Sequence, residues 1–163
     1  MKTLVVYYSR TGRTRTAATE LARELGADLE ELHEMRGGRT GVKGYVLAGR
    51  DAWLARESSL APLRYDPSGH ELVVVAGPVW AFAMCPAVRA YLKLCGPKLK
   101  RVAFLCTQAG KGAKRTFMQM AALLDRAPVD TLILIDRDID RDRHTPALTD
   151  FAARLRRPAG GQA

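Results

Sequence analysis

Short apolar runs rich in Val, Leu and Ile alternate with segments of helical period from one end of this chain to the other. Few architectures accept that pattern. A strand that is apolar on both faces must be covered on both, and a helix between two such strands returns the chain to lay them parallel with a right-handed crossover. The alternation therefore predicts a three-layer, doubly wound α/β domain.

The runs can be placed. Thr3–Tyr8 reads as a first strand, with Leu4, Val5, Val6 and Tyr7 continuous. Thr14–Leu25 reads as a helix, because Ala17, Ala18, Leu21, Ala22 and Leu25 form one stripe and Gly26 supplies a stop. Leu29–Glu34 is a second strand, Glu71–Ala76 a third ended by Gly77 and Pro78, Arg101–Thr107 a fourth and Thr131–Asp136 a fifth. Helices are predicted over Tyr45 to about Arg56, from Pro86 through Cys95, over Lys114–Leu124, and from a Thr145 cap through Leu155. Met35–Gly44, with four glycines, and Leu60–Gly69, with Pro62 and Pro67, read as connections. The 163 residues are enough for one core of ordinary size, and the reading is one domain over residues 1–157 with a flexible tail at 158–163.

Composition narrows the class. No apolar run reaches the roughly 20 residues that cross a bilayer, and the start, Met1-Lys2-Thr3 before Leu4, lacks a signal-peptide pattern. Three cysteines, Cys85, Cys95 and Cys106, without Cys-x-x-Cys spacing, fit a reducing compartment, and the expectation is a cytoplasmic protein. His33, His70 and His144 stand too far apart for a metal-ligand pattern, so no metal is expected. The net charge of +9 is carried by 26 Lys and Arg scattered along the chain, which reads as a solvated basic surface. Attraction to nucleic acid or to an acidic redox partner is the sharper reading of that charge, with nucleic acid the less expected of the two.

In such folds ligands sit beyond the carboxyl ends of the strands, where the strand order reverses, so the loops after strands one, three and four are where chemistry is expected. The first, Ser9-Arg10-Thr11-Gly12-Arg13-Thr14, runs into a helix start. Unpaired N–H groups and a partial positive charge suit a phosphate there, with hydroxyls and guanidinium groups adding donors. An ordinary capped helix would also carry Ser and Thr. A P-loop or a Gly-x-Gly-x-x-Gly fingerprint is absent from this loop. The second loop, Gly77-Pro78-Val79-Trp80-Ala81-Phe82, places a Trp where a planar aromatic cofactor would cover it, unless Trp80 folds back as core. The third, Thr107-Gln108-Ala109-Gly110-Lys111-Gly112, is small enough for backbone groups to reach the polar edge of a ring. Cys85 is read as structural, and the alternating Asp and Arg from Asp136 to Asp142 as a self-paired solvated loop.

The run Tyr8-Ser9-Arg10-Thr11-Gly12-Arg13-Thr14 resembles the FMN phosphate loop of flavodoxins, Thr/Ser-x-Thr-Gly-x-Thr. Gly77-Pro78-Val79-Trp80 is similar to the family's second loop, and the stretches ending Gly44-Tyr45 and spanning Asp66 to Trp80 are similar to a broad flavodoxin-like group. The resemblance covers about Lys2 to Leu155. It implies a flavodoxin-like five-stranded sheet of order 2-1-3-4-5 and FMN as cofactor. Ser9, Arg10, Thr11, Gly12, Arg13 and Thr14 would surround the phosphate. Pro78, Val79, Trp80, Ala81 and Phe82 would border the ring, and Thr107, Gln108, Ala109, Gly110 and Gly112 would line its polar edge. The chain departs from the family in its basic charge and in having no aromatic between Thr107 and Lys114.

The function expected is that of an FMN-binding flavoprotein acting in electron transfer or as a small oxidoreductase of the NAD(P)H:quinone or flavin-reductase type. Its partner would be a redox protein or a small electron donor or acceptor. None of the three loops contains Asp or Glu, and Arg10, Arg13, Arg15 and Lys111 lie in or beside them. Positive surroundings favour the anionic reduced ring, so a reduction potential above that of acidic flavodoxins is expected. The alternative is a regulatory or binding module that keeps the fold without flavin. A phosphoacceptor receiver is excluded, because Tyr8-Ser9 and Gly77-Pro78 supply no acids.

Overall fold

The computed structural model describes residues 1–35 and 59–157. The helix expected at Tyr45 to Arg56, the Gly44-Tyr45 stretch, most of the Met35–Gly44 loop and the tail at 158–163 lie outside the described residues.

In chain order the elements are β1 (Thr3–Tyr7), α1 (Arg13–Leu25), β2 (Asp28–Glu31), β3 (Leu72–Trp80), β4 (Ala83–Met84), α2 (Pro86–Cys95), β5 (Arg101–Gln108), α3 (Ala113–Leu124), β6 (Thr131–Ile135), α4 (Asp136–Asp140) and α5 (Thr145–Leu155). Five strands lie parallel in the order β2-β1-β3-β5-β6, and β4 pairs antiparallel with β3 off that path. Counting the parallel strands alone, this is the expected order 2-1-3-4-5.

The period-two geometry of the strands sorts their apolar residues into two cores. Leu4, Val6, Val73, Val75 and Phe104 point to one face, where α2 and α3 cover them with Val88, Tyr91, Leu92, Phe117 and Met120. Val5, Tyr7, Val74, Ala76 and Leu105 point to the other, under Ala17, Ala18 and Leu21 of α1 and Leu148, Phe151, Ala152 and Leu155 of α5. Cores on both faces are why the central strands read as unbroken apolar runs. Among the described residues no helix is long and apolar enough to cross a membrane.

Three expectations need correction. The third strand does not stop at Ala76 but continues through Gly77 and Pro78 to Trp80. Pro78 is tolerated because β1 pairs with β3 only as far as Ala76, so its missing N–H faces no ladder on that side. The segment from Asp136 is a short helix rather than a loop. Thr145 is the first helical residue and His144 the cap, because the Thr145 hydroxyl donates to Glu20 Oε1 at 2.7 Å instead of closing its own helix.

Candidate functional site

The three loops meet at the carboxyl edge of the sheet, beyond β1, β3 and β5. The first begins as β1 ends. Ser9 Oγ accepts the Gly12 N–H at 3.1 Å, and Gly12 adopts φ +97°, which a residue with a Cβ rarely takes. The chain then turns directly into α1, whose N-cap is Gly12, with no side-chain cap. The first-turn N–H groups of α1 have no intrahelical acceptor and face the loop. Donors left uncapped at a helix start, with the macrodipole behind them, suit an anion. The expected Ser9-to-Thr14 loop is thus assembled at the strand-to-helix turn.

Two arginines, one in the loop and one just beyond it, turn away from it. Arg13 turns away along the edge, with Nε donating to Asp140 Oδ1 at 2.8 Å and Nη2 to Asp140 Oδ2 at 2.9 Å, while Nη1 lies 3.6 Å from Asp136 Oδ2. The hydrogen bond from Arg13 holds the Asp140 carboxyl below its ordinary range, whereas burial pushes that of Asp136 up despite the same guanidinium. The expected self-paired loop is therefore an acidic clamp on Arg13 of the first loop. Arg15 likewise turns to the far side, pairing with Glu31 at the end of β2.

Thr14 points inward. Its Oγ1 lies 2.8 Å from Thr107 Oγ1, and both residues are buried. This bond ties the first turn of α1 to the end of β5, so the first and third loops are held in register. Replacing Thr14 by Val leaves the Thr107 hydroxyl buried without that partner and is expected to cost about 1–3 kcal/mol in urea unfolding. A Thr14→Val/Thr107→Val double variant is expected to lose less than the sum of the single losses, because the orphaned group is gone.

The second loop is a tight hairpin. Trp80 closes β3 opposite Ala83 of β4, and the turn between them, Ala81 and Phe82, has φ +47° and +61°. Left-handed conformation at both positions is the primed turn that usually calls for Asn-Gly, so Ala-Phe carries strain there. Trp80 is only 7% exposed and lies edge-on to Tyr8, ring centres 5.5 Å apart. It is core, the reading of Trp80 that needed no cofactor. The exposed aromatic of the hairpin is Phe82, at 57%.

The third loop folds on its own polar groups. Gln108 donates through Nε2 to the Gly110 carbonyl at 2.8 Å and accepts the Ala113 N–H at 2.9 Å through Oε1. Gly112 has φ +117°, and a Cβ there would stand 2.8 Å from Val79 Cγ1 and 2.9 Å from Phe82 Cα. The second and third loops are thus in direct backbone contact, with Ala109 and Gly110 exposed at their rim. Helix α3, like α1, starts from a left-handed glycine without a side-chain cap.

Sequence reasoning missed Asp136, Asp140 and Tyr8. A loop with several guanidinium groups and no acid of its own was the only signal that carboxylates had to arrive from elsewhere. Cys85 and Cys106 lie wholly inside, and burial pushes the Cys106 thiol well up, which suits the structural reading.

No protein-family model matches the sequence, and no curated protein does. Solved structures do match. A flavoprotein of Lactobacillus acidophilus NCFM, crystallised in complex with FMN, superposes with a TM-score of 0.71 at 20% identity, over 86% of this chain and 97% of that one. A candidate flavoprotein of Bacteroides uniformis gives 0.75 at 13% identity, over 93% and 97%. A flavodoxin from the domain Archaea gives 0.53 at 15%, over 96% and 100%. The fold is flavodoxin-like.

Proposed function

We propose that this chain is an FMN-binding flavoprotein that works in electron transfer or as a small FMN-dependent oxidoreductase. The observation that carries the reading is the α1 start: an uncapped helix N-terminus entered through a left-handed glycine, beside two further loops at one sheet edge. The FMN complex of the Lactobacillus acidophilus protein, which shares the fold, supports it.

The residues fit the group as follows. The first-turn N–H groups of α1, with Ser9 and Thr11 beside them, would hold the phosphate as backbone and hydroxyl donors. Arg13, clamped by Asp140, would position the loop rather than neutralise the anion. Phe82, exposed and fixed by a strained turn, is the hairpin side chain able to lie flat on a ring, while Trp80 supports the hairpin from beneath. Backbone groups at Ala109 and Gly110 would meet the ring's polar edge, since Gln108 is engaged within its own turn.

Bound FMN supplies one- and two-electron chemistry, and its reduced ring carries negative charge. Arg10 and Lys111 stand at the loops, and the Arg13–Asp140 pair balances its own charges. Those positive groups favour the reduced anion. A redox titration of the FMN-loaded protein is expected to place the final reduction above that of free FMN. A couple well below free FMN would overturn the electrostatic part of this reading.

A further inference from the structure

Bases are scattered along this chain, but acids are not. Between Leu72 and Leu124 there are eight Lys and Arg and no Asp or Glu. The stretch comprises β3, β4, α2, β5 and α3, and both of its helices pack on the same face of the sheet. The stretch therefore supplies no carboxylate of its own to offset its bases, and Lys98 is answered from outside it, by Asp66. Outside the stretch several bases are answered: Arg13 by Asp140, Arg15 by Glu31, Arg154 by Asp130 and Asp150.

Three of these eight bases stand at the start of α3, and another three, Lys98, Lys100 and Arg101, at the start of β5. Lys111, Lys114 and Arg115 are all exposed, and among the described residues none of the three forms an ion pair. Met118, one turn further along, is 66% exposed. On the other side stands Phe82, whose Cα lies 2.9 Å from where a Cβ on Gly112 would be. An exposed aromatic and an exposed methionine are thus set among three unneutralised cations, at the rim of the loops described above.

We infer that this face, Phe82 with Lys111, Lys114, Arg115 and Met118, is a docking surface for an acidic protein. The charge selects a partner with a carboxylate-rich patch and steers its approach. The two apolar side chains favour a protein over a polyphosphate chain. Aromatic residues, Met and Arg are enriched in protein–protein contacts, whereas duplex binding leans on contacts to phosphate. A patch of this extent suits a transient encounter. Lys111, Lys114, Arg115 and Met118 present this surface with or without a bound flavin, and Phe82 joins it where a ring leaves its face open.

The test uses the full chain and two small haem proteins of opposite charge, the acidic soluble domain of cytochrome b5 and the basic cytochrome c. At low ionic strength the first is expected to bind and the second not to. Lys114→Glu/Arg115→Glu should weaken cytochrome b5 binding by about tenfold or more, and added salt should weaken the parent complex in the same direction. A control of equal charge change on the α4–α5 connection, Arg141→Glu/Arg143→Glu, should change it less than about twofold. The inference is overturned if cytochrome b5 shows no salt-sensitive binding or if both double variants weaken it equally. It is also overturned if a 20-base-pair DNA duplex binds the face more tightly than cytochrome b5 and displaces it.

Discussion

Gly112→Ala is expected to destabilise the protein by about 3 kcal/mol and to weaken FMN binding in the molecules that remain folded. Two separate costs add at this position. With φ at +117°, the backbone is one that a residue with a Cβ takes only under strain. The new methyl would also meet Val79 Cγ1 at 2.8 Å and Phe82 Cα at 2.9 Å, and the second of these is backbone that cannot swing aside. Relief requires the Ala81-Phe82 turn to move off the third loop, which is where the ring is proposed to lie. For a chain of this size the melting temperature should fall by roughly 10 °C. Gly110→Ala is the control: nothing lies within 4 Å of its added Cβ and its φ is not positive, so stability should change by less than about 0.5 kcal/mol. Thermal melts and FMN titrations of both variants check this.

Phe104→Ala is expected to be costlier still and to leave the ligand preference alone. Phe104 sits mid-strand in β5, paired with Val75 of β3 and Thr131 of β6, and has no solvent exposure. Its ring stacks on Phe117 of α3 with centres 6.1 Å apart and planes 23° apart. Truncation removes that contact and opens a cavity between the sheet and α3, for an expected loss of about 3–5 kcal/mol in urea unfolding. Phe104 belongs to the core under α2 and α3, whereas the first loop opens α1 over the other core, so the preference for FMN over riboflavin should be unchanged. A preference that falls with Phe104→Ala would mean that the site depends on the core more than the geometry indicates. The two variants thus have opposite signatures: one moves stability and site together, the other stability alone.

The contrast also marks what the sequence could tell. The layers were legible because the apolar runs at Leu4–Tyr7, Leu72–Ala76 and Val102–Cys106 are buried on both faces, which only a parallel sheet between helices explains. The first loop was legible as a strand-to-helix turn because Ser9 to Thr14 is contiguous in the chain and its geometry is local. The hairpin was not. Gly77-Pro78 has the look of a strand end, and Ala81-Phe82 lacks the Asn-Gly signature of a two-residue turn, so Trp80 read as a loop aromatic. Its burial depends on Tyr8, more than seventy positions earlier in the chain. The Arg13–Asp140 clamp was hidden for the same reason. Its partners are 127 positions apart, and the alternation of Asp with Arg around Asp136 offered nearer partners that the short helix α4 does not use for this purpose.

On the proposed reading the uncapped start of α1 is built for a phosphate, and FMN is the ligand it holds. Titrating the purified protein in parallel with FMN and with riboflavin, following flavin fluorescence and absorbance, tests this directly. The two ligands share a ring and differ by the phosphate alone. Charge-assisted bonds to several N–H donors are worth roughly 1.5–3 kcal/mol each, so FMN is expected to bind at least about a hundredfold more tightly than riboflavin. Equal affinity for the two, or no binding of either, would overturn that reading and leave a flavodoxin-like fold without a phosphate site.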